Sequence, residues 1–239
     1  MEEIVAHCHA EESRLGYFAA LYRQVTVQVQ LGIETGRFED GPRMEQLDVV
    51  FANRYFEALR RHLEGELPTA CWQVAFSAAP NWRPLVLQHL LLGMNAHINL
   101  DLGLSAAAVC PGDSISSLRA DFYEINTILS DLLDIIQARI GDFSPLLGLL
   151  DRLGGKSDEA VFNFSMQRAR DAAWRIAERF AHLEPEQHDE EITKIDRTIT
   201  RLAQAVQQPG KLIRIGALLI RLFEKNDVRH IIDALNAPI

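Results

Sequence analysis

The feature that most constrains the fold is a helical periodicity that runs through nearly the whole chain. Between residues 115 and 141, apolar side chains recur every three or four positions, and residues 15–35 and 42–64 show the same spacing. Such spacing gathers apolar groups on one face of an α-helix. Alternation of apolar and polar residues never lasts more than a few positions, so no strand is predicted. We therefore expect an all-α protein.

Glycine and proline residues divide the chain into separate helices. The predicted helices cover residues 15–35, 42–64, 70–78, 85–109, 115–141, 144–153, 157–183, 190–208 and 211–235. The helix at 85–109 is the most hydrophobic, which predicts a bundle-like domain built around it. Gly154 and Gly155 mark a sub-boundary near 154–156. The segments before them do not form an obviously complete core, so we expect a single domain over residues 1–239.

Composition excludes several classes of protein. The chain has 239 residues with 48% hydrophobic side chains, enough to bury a full core, and a net charge of −9 that argues against nucleic-acid binding. No segment approaches the roughly 20 apolar residues needed for stable membrane insertion. Three well-separated cysteines predict free thiols in a reducing compartment. With an acidic N-terminus unlike a secretory signal, the expected location is the cytoplasm.

The two ends of the chain each suggest a site. His7, Cys8 and His9 resemble metal ligands, but neighbours two residues apart do not share a helix face, so residues 1–13 are predicted to be a frayed terminal turn.

Residues 211–235 carry basic groups on one side, at Arg214, Arg221 and Lys225. This pattern allows a helix that lies on a membrane surface, but it favours a helix that packs into the core with a solvated basic face. Its apolar face consists of Leu212, Ile215, Leu218, Leu219, Leu222 and Phe223.

Four polar side chains interrupt the central apolar helix within seven residues: Asn95, His97, Asn99 and Asp101. Buried polar groups cost free energy unless they are paired, so this cluster is either a structural network or a site. Helical geometry divides it into two couples, Asn95 with Asn99 and His97 with Asp101. The two members of a couple are four residues apart and can touch, and the two couples point in different directions. Either one couple lines a pocket while the other ties the helix to its neighbours, or the helix is distorted between Gly93 and Gly103.

His97 and Asp101 are the predicted catalytic acid–base pair. An aspartate can fix the tautomer of a histidine and raise its basicity, as a general base requires. The same pair could ligate a divalent metal if Asp48, Asp121, Glu124 or His89 completed the site, but no HExxH or ExxH pattern is present and a metal cofactor is not favoured. Serine-nucleophile, P-loop and dinucleotide-binding signatures are also absent.

Polar groups among many apolar ones favour a small organic ligand. Each candidate is, on its own, more often structural than functional. The predicted ligand-binding residues are Asn95, Asn99, Asp48, Tyr55, Asn126, Arg170 and Trp174. The opposing hypothesis is a non-enzymatic interaction or structural protein in which the Asn/His/Asp cluster serves only helix packing.

The run Gly93–Leu102 resembles the Gly-Met-Asn-Ala-His-Ile-Asn-x-Asp-Leu signature of an uncharacterised, mainly bacterial family, a domain of unknown function. It matches that signature at every fixed position. The resemblance implies a shared site without naming its chemistry, and it spans most of the chain up to about residue 184. The further similar segments are Leu21-Tyr22 with Val25-Thr26, Phe38-x-Asp40, Leu47-Asp48-Val49-x-Phe51-Ala52, Asp121-Phe122 with Ile125-Asn126, and Ala173-Trp174.

Overall fold

The computed structural model describes residues 1–146 and 166–238. Eleven α-helices and no strand occur among these residues, so the predicted all-α fold is confirmed. A π-helical turn, His97–Leu102, joins α5 to α6, and 3₁₀ turns cover Gly112–Leu118 and Pro185–Gln187. In chain order the helices are α1 (Glu2–Ala10), α2 (Leu15–Glu34), α3 (Gly41–Leu63), α4 (Ala70–Ala78), α5 (Val86–Ala96), α6 (Gly103–Val109), α7 (Arg119–Phe143), α8 (Met166–Ala181), α9 (His188–Gln207), α10 (Lys211–Phe223) and α11 (Val228–Asn236).

Helix boundaries match the predicted ones best where the sequence carries a cap or a breaker. At the start of α3, the carboxylate of Asp40 accepts a hydrogen bond from the backbone N–H of Arg43 at 3.0 Å, and Pro42 lies in the first turn. Helix α4 has the predicted bounds, and α2 and α9 end within one residue of theirs. The helix predicted at 144–153, the start of the one at 157–183 and the sub-boundary at 154–156 fall largely outside the described residues.

The N-terminus is not a frayed turn, so that prediction is wrong. Glu2–Ala10 is helix α1, and its residues Val5 and Cys8 are buried in the core. Helix α11, from the other end of the chain, holds α1 in place. The guanidinium of Arg229 donates to the backbone carbonyl of His9 at 3.2 Å, and the His9 ring lies 3.3 Å from Asp233. A terminal helix tied down in this way does not fray.

The path from α5 through the π turn to α6 lies in the interior of the fold. Leu92, Ala96 and Leu100 along it have no solvent exposure. Helix α8 packs against α6 and the π turn, and α9 packs against α4 and α5. From the first half of the chain, α2 packs against α5, while α3 packs against the π turn and α6. The central polar residues can therefore reach helices from both halves of the chain.

Two glycines on this path allow neighbouring helices to approach closely. A Cβ atom on Gly93 would lie 2.4 Å from the Phe18 ring of α2, and one on Gly103 would lie 2.6 Å from the carbonyl oxygen of Ala173 in α8. Gly103 has ordinary helical angles, φ −65° and ψ −40°. Both glycines therefore have a packing role, because neighbouring helices occupy the space that a side chain would take.

Three buried carboxylates hold the beginnings of helices that lie far from them in the chain. Asp196 accepts hydrogen bonds from the first two N–H groups of α4, and Glu224 accepts from the first N–H group of α5, where these donors have no partner within the helix. Asp121 accepts from the backbone N–H groups of Glu39 and Asp40, immediately before α3. The start of the central helix therefore depends on a residue close to the C-terminal end.

The C-terminal region departs most from its prediction. It forms two helices, α10 and α11, instead of one stretch, and the expectation that the apolar face of α10 packs into the core is wrong. That face is exposed, while Ile213, Ala217 and Ile220 on the opposite face pack against Leu85. Arg221 is buried and pairs with Glu224, so it does not belong to a solvated basic face. Within the described residues, no helix has both the length and the apolar character to span a bilayer.

Candidate functional site

The π turn carries three residues of the polar cluster, Asn95 lies just before it at the end of α5, and both predicted couples form contacts. The Nδ1 atom of His97 lies 3.2 Å from Oδ2 of Asp101, and the side-chain amide of Asn99 donates to Oδ1 of Asn95 at 3.0 Å. The helix is also distorted, because residues 97–102 adopt the wider π form. Such turns interrupt regular α-helices at functional sites in many proteins. The predicted distortion of the helix is therefore present, and the pocket beside one of the couples stays a prediction.

The asparagine couple ties the central helix to α9. The side-chain amide of Asn95 donates to the backbone carbonyl of Ile199 at 3.1 Å, and Asn95 has no solvent exposure. With the Asn99 amide bonded to Asn95 as well, this couple forms a closed packing contact. Its hydrogen bonds join two helices, as expected for a buried polar network.

The histidine couple belongs to a different network that includes Trp72 of α4. The indole Nε1–H of Trp72 donates to Oδ2 of Asp101 at 2.9 Å, the same oxygen that lies beside His97. Because a carboxylate can only accept, His97 donates through Nδ1–H and presents a lone pair at Nε2. All three residues are at most 4% exposed. The contact of Trp72 with Asp101 was not predictable from the sequence, since nothing local connects α4 to the central helix.

Several aromatic rings surround His97. Phe51 of α3 stacks on the imidazole with ring centroids 3.6 Å apart, and Tyr22 of α2 contacts it edge-on at 4.4 Å. Phe18 and Tyr55 complete the ring of contacts at 5.7 and 6.1 Å. Phe51 is half-buried, whereas the other three are buried. We refer to His97, Asp101, Trp72, Tyr22 and Phe51 as the His97 centre.

Two polar atoms of the His97 centre have no hydrogen-bond partner although both are buried: Nε2 of His97 and the hydroxyl of Tyr22. Burial lowers the pKa of His97, against the opposing effect of Asp101, so the imidazole is neutral. Burial, followed by the charges of Asp48 and Asp101, raises the pKa of Tyr22 well above its usual value. The centre therefore offers one free acceptor and one free O–H donor. Tyr22 was not among the predicted site residues, although its segment is one that resembles the family.

Asp48 and Arg54 lie on α3 near the same centre. Arg54 interacts electrostatically with the Asp101 carboxylate, and Tyr22 interacts electrostatically with Asp48. Burial lowers the pKa of Arg54, and its Nε atom is buried without a hydrogen-bond partner. Burial raises the pKa of Asp48 from 3.8 to about 6. Asp48 is thus a predicted site residue that the fold places close to the His97 centre, as is Tyr55.

We expect the Asp48→Asn variant to be more stable than the wild type at neutral pH and equal to it at about pH 4. A pKa raised in the folded state means that the folded protein binds more protons, so the carboxylate costs stability as pH rises from about 4 through about 6. Urea unfolding of both proteins across this range measures the effect. A stability difference that does not change with pH would contradict it.

Arg170 and Trp174 of α8 form a second cluster, around Phe122 of α7. The guanidinium of Arg170 donates to the Phe122 carbonyl and lies 4.6 Å from the centre of the Phe122 ring, which is 5.0 Å from Trp174. Two buried donors here have no hydrogen-bond partner, Nε of Arg170 and Nε1 of Trp174. The buried acceptor Oδ1 of Asn126, one turn beyond Phe122, also has none. These three predicted ligand-binding residues thus group with Phe122 and not with His97.

Two of the additional metal ligands considered for His97 and Asp101 are paired elsewhere. Asp121 pairs with Arg43 at 2.7 Å, and Glu124 pairs with Arg37 at 2.6 Å. His89 lies against the Tyr17 ring with its Nε2 atom unpartnered, and Asp48 lies near the His97 centre. Among residues 1–146 and 166–238, no group of three His, Cys, Asp or Glu side chains is arranged to hold a metal ion. His97 and Asp101 remain a two-residue pair, fewer than the three protein ligands typical of a catalytic zinc site.

Comparison with known proteins places the chain in a family without assigning a reaction. No curated protein and no solved structure matches it. The model of a family of unknown function, DUF5995, matches residues 1–209. This match includes the entire His97 centre and the second cluster around Phe122, and it ends before α10. The chain therefore belongs to the DUF5995 family.

Proposed function

We propose that the His97 centre binds a small, uncharged organic molecule that both donates and accepts a hydrogen bond, such as a carboxamide or a lactam. The observation that carries this proposal is the pair of unpartnered buried atoms, Nε2 of His97 and the hydroxyl of Tyr22. Native proteins rarely leave buried polar atoms unsatisfied, and a bound molecule is one explanation for such atoms. An amide N–H would donate to His97, and the amide carbonyl would accept from Tyr22.

The remaining members of the centre would prepare His97 for this role. Asp101 fixes the tautomer with the proton on Nδ1, and the Trp72 indole fixes Asp101 in turn. With a substrate in place of a simple ligand, Nε2 could accept a proton while Asp101 stabilised the resulting imidazolium. This arrangement supports an acid–base enzyme more directly than a metal-assisted one.

The route to the centre would pass Phe51. Phe51 is half-buried, whereas the other rings that contact His97 are buried, and it covers the flat face of the imidazole. A ligand that displaces the Phe51 ring would reach both Nε2 and the aromatic walls. Those walls favour an apolar body attached to the amide.

Ligand-observed NMR with benzamide and 2-pyrrolidone as probes tests the proposal. Both probes are expected to bind the wild type, and both should bind about tenfold more weakly to Tyr22→Phe, which removes only the free hydroxyl. The His97→Asn variant should have the same effect, because its amide can keep the bond to Asp101 while the Nε2 acceptor is lost. Without a ligand, Tyr22→Phe should gain about 1 kcal/mol of stability, since an unsatisfied buried hydroxyl is removed.

The matched control is Tyr17→Phe on the same helix. The Tyr17 hydroxyl interacts with Arg14 and its ring contacts His89, so this variant should bind both probes as the wild type does. If neither probe binds, or if binding is unchanged in both Tyr22→Phe and His97→Asn, the ligand proposal fails. The closed contacts of Asn95 and Asn99 would then favour the second candidate, a non-enzymatic protein in which the whole cluster serves packing.

Two finer expectations accompany this proposal. We infer that Gly93–Leu102 is the signature of the family and that the His97 centre is what its members share. The position of all five residues of the centre within the matched region supports this inference. We also propose a cytoplasmic location, which the three free, buried cysteines support.

A further inference from the structure

Helix α10 exposes an unusually apolar face. Six large side chains on this one helix are between 46% and 73% exposed. In a helical projection they cover a continuous arc of about 140°. Contiguous exposed apolar patches on soluble proteins commonly mark a surface that contacts a protein or a membrane. We call this surface the α10 patch; its members are Leu212, Ile215, Leu218, Leu219, Leu222 and Phe223.

The orientation of α10 is fixed by contacts on its opposite face. Ile213, Ala217 and Ile220 pack against Leu85. At the end of the helix, the buried carboxylate of Glu224 accepts hydrogen bonds from Ser144 and from the start of α5. The exposed arc is therefore held outward by packing and hydrogen bonds on the inner side.

The exposed charges between Lys211 and Lys225 are all basic, and the nearest exposed acidic residue after them in the chain is Asp227. Lys211 and Arg214 are exposed in the first turn of α10, and Lys225 is exposed immediately after its end. The one acidic residue between Lys211 and Lys225 is Glu224, whose side chain is fully buried. The whole chain carries a net charge of −9, so this basic surface stands out against an acidic protein. Its sign is complementary to an anionic surface.

An exposed aromatic residue lies beside α10. Arg221 donates to the backbone carbonyl of Trp82 at 2.6 Å, which holds the loop before α5 against α10. The Trp82 side chain is 47% exposed, and the next residue, Arg83, is also exposed. Tryptophan beside arginine is typical of segments that lie at the boundary between lipid and water.

We propose that the α10 patch docks the protein on the surface of an anionic lipid bilayer. At 13 residues, α10 is shorter than a membrane-spanning helix, and it has the apolar face and basic flank of a helix that lies in the interfacial plane. The patch side chains enter the acyl region, while Lys211, Arg214 and Lys225 contact the headgroups. A second copy of the chain fits less well, because two such faces would bring like charges together.

Co-sedimentation of the full-length protein with vesicles tests this proposal. We expect binding to vesicles of phosphatidylcholine with phosphatidylserine, weaker binding to phosphatidylcholine alone, and release by added salt. The double variant Leu222→Gln/Phe223→Gln should bind at least about tenfold more weakly, because two large apolar groups no longer enter the bilayer. The double variant Lys211→Gln/Arg214→Gln should lose most of the preference for phosphatidylserine.

The control is Leu67→Gln, which changes a leucine that is 72% exposed in the segment before α4 and should leave binding unchanged. All of these substitutions are at exposed positions, so circular dichroism should show unaltered folding. The proposal is overturned if the wild type does not bind the anionic vesicles, or if the Leu222/Phe223 variant binds as well as the wild type. It is also overturned if light scattering finds a dimer that this variant dissociates, because a second copy would then be the occupant.

Discussion

Replacing Asp101 by alanine is expected to destabilise the protein by about 3–5 kcal/mol. Oδ2 of this carboxylate is the acceptor for both the Trp72 indole N–H and His97 Nδ1–H, so its removal leaves two buried donors unpaired. Each orphaned donor costs roughly 1–3 kcal/mol, and the lost volume adds a cavity term. Urea denaturation monitored by circular dichroism measures the loss.

The matched variant is Asp101→Asn, which retains one oxygen in the position that accepts both hydrogen bonds. Its loss of stability should be only about a third of the loss in the alanine variant, because both hydrogen bonds survive and only the charge is removed. A double-mutant cycle with Trp72→Phe isolates the indole bond, since that substitution should cost less in the Asp101→Ala background than in the wild type. Equal losses for alanine and asparagine would show that the carboxylate does not hold this network together.

Gly103→Ala is expected to cost about 2–3 kcal/mol, in the upper part of the range for overpacking. The new methyl group would lie 2.6 Å from the carbonyl oxygen of Ala173 and 2.8 Å from Cβ of Ile176. Neither atom can swing away as the end of a long side chain could, so α8 must shift as a unit away from the π turn. Thermal and urea denaturation of the variant check the expected loss.

Gly141→Ala provides the control for that substitution. Gly141 lies in α7, and a methyl group there meets no atom within 4 Å. Because alanine favours the helix more than glycine does, this variant should gain about 0.5–1 kcal/mol. A loss of stability at Gly103 together with a gain at Gly141 would show that packing causes the effect at Gly103. A gain in stability at both positions would contradict the close approach of α8.

The sequence predicted the helices well because the signals for a helix are local. Asp40 with Pro42 marks the start of α3, and the end of α2 follows from Gly36 in a left-handed conformation, φ 70°. The two couples of the polar cluster were likewise predictable, since a spacing of four residues brings side chains together on any helix. The π turn had no comparable local signal, although three of the four polar residues, His97, Asn99 and Asp101, lie in it.

The surroundings of His97 were predictable only in part, because they come from separate helices. Tyr22, Phe51 and Trp72 lie on α2, α3 and α4, and only the packing of these helices brings them to the imidazole. The orientation of α10 was not predictable for a related reason. Both of its faces are apolar, and the sequence favours burying the larger side chains, whereas the fold buries the narrower face of Ile213, Ala217 and Ile220.

The distant carboxylates bear on how this chain folds. Asp121, Asp196 and Glu224 each accept hydrogen bonds from backbone N–H groups at or just before a helix start that lies at least 80 residues earlier in the chain. The beginnings of α3, α4 and α5 thus gain these hydrogen bonds only after later parts of the chain have been synthesised and docked. Helix formation and tertiary assembly are thereby linked, which favours a cooperative transition in which the N-terminal half reaches full order together with the C-terminal half.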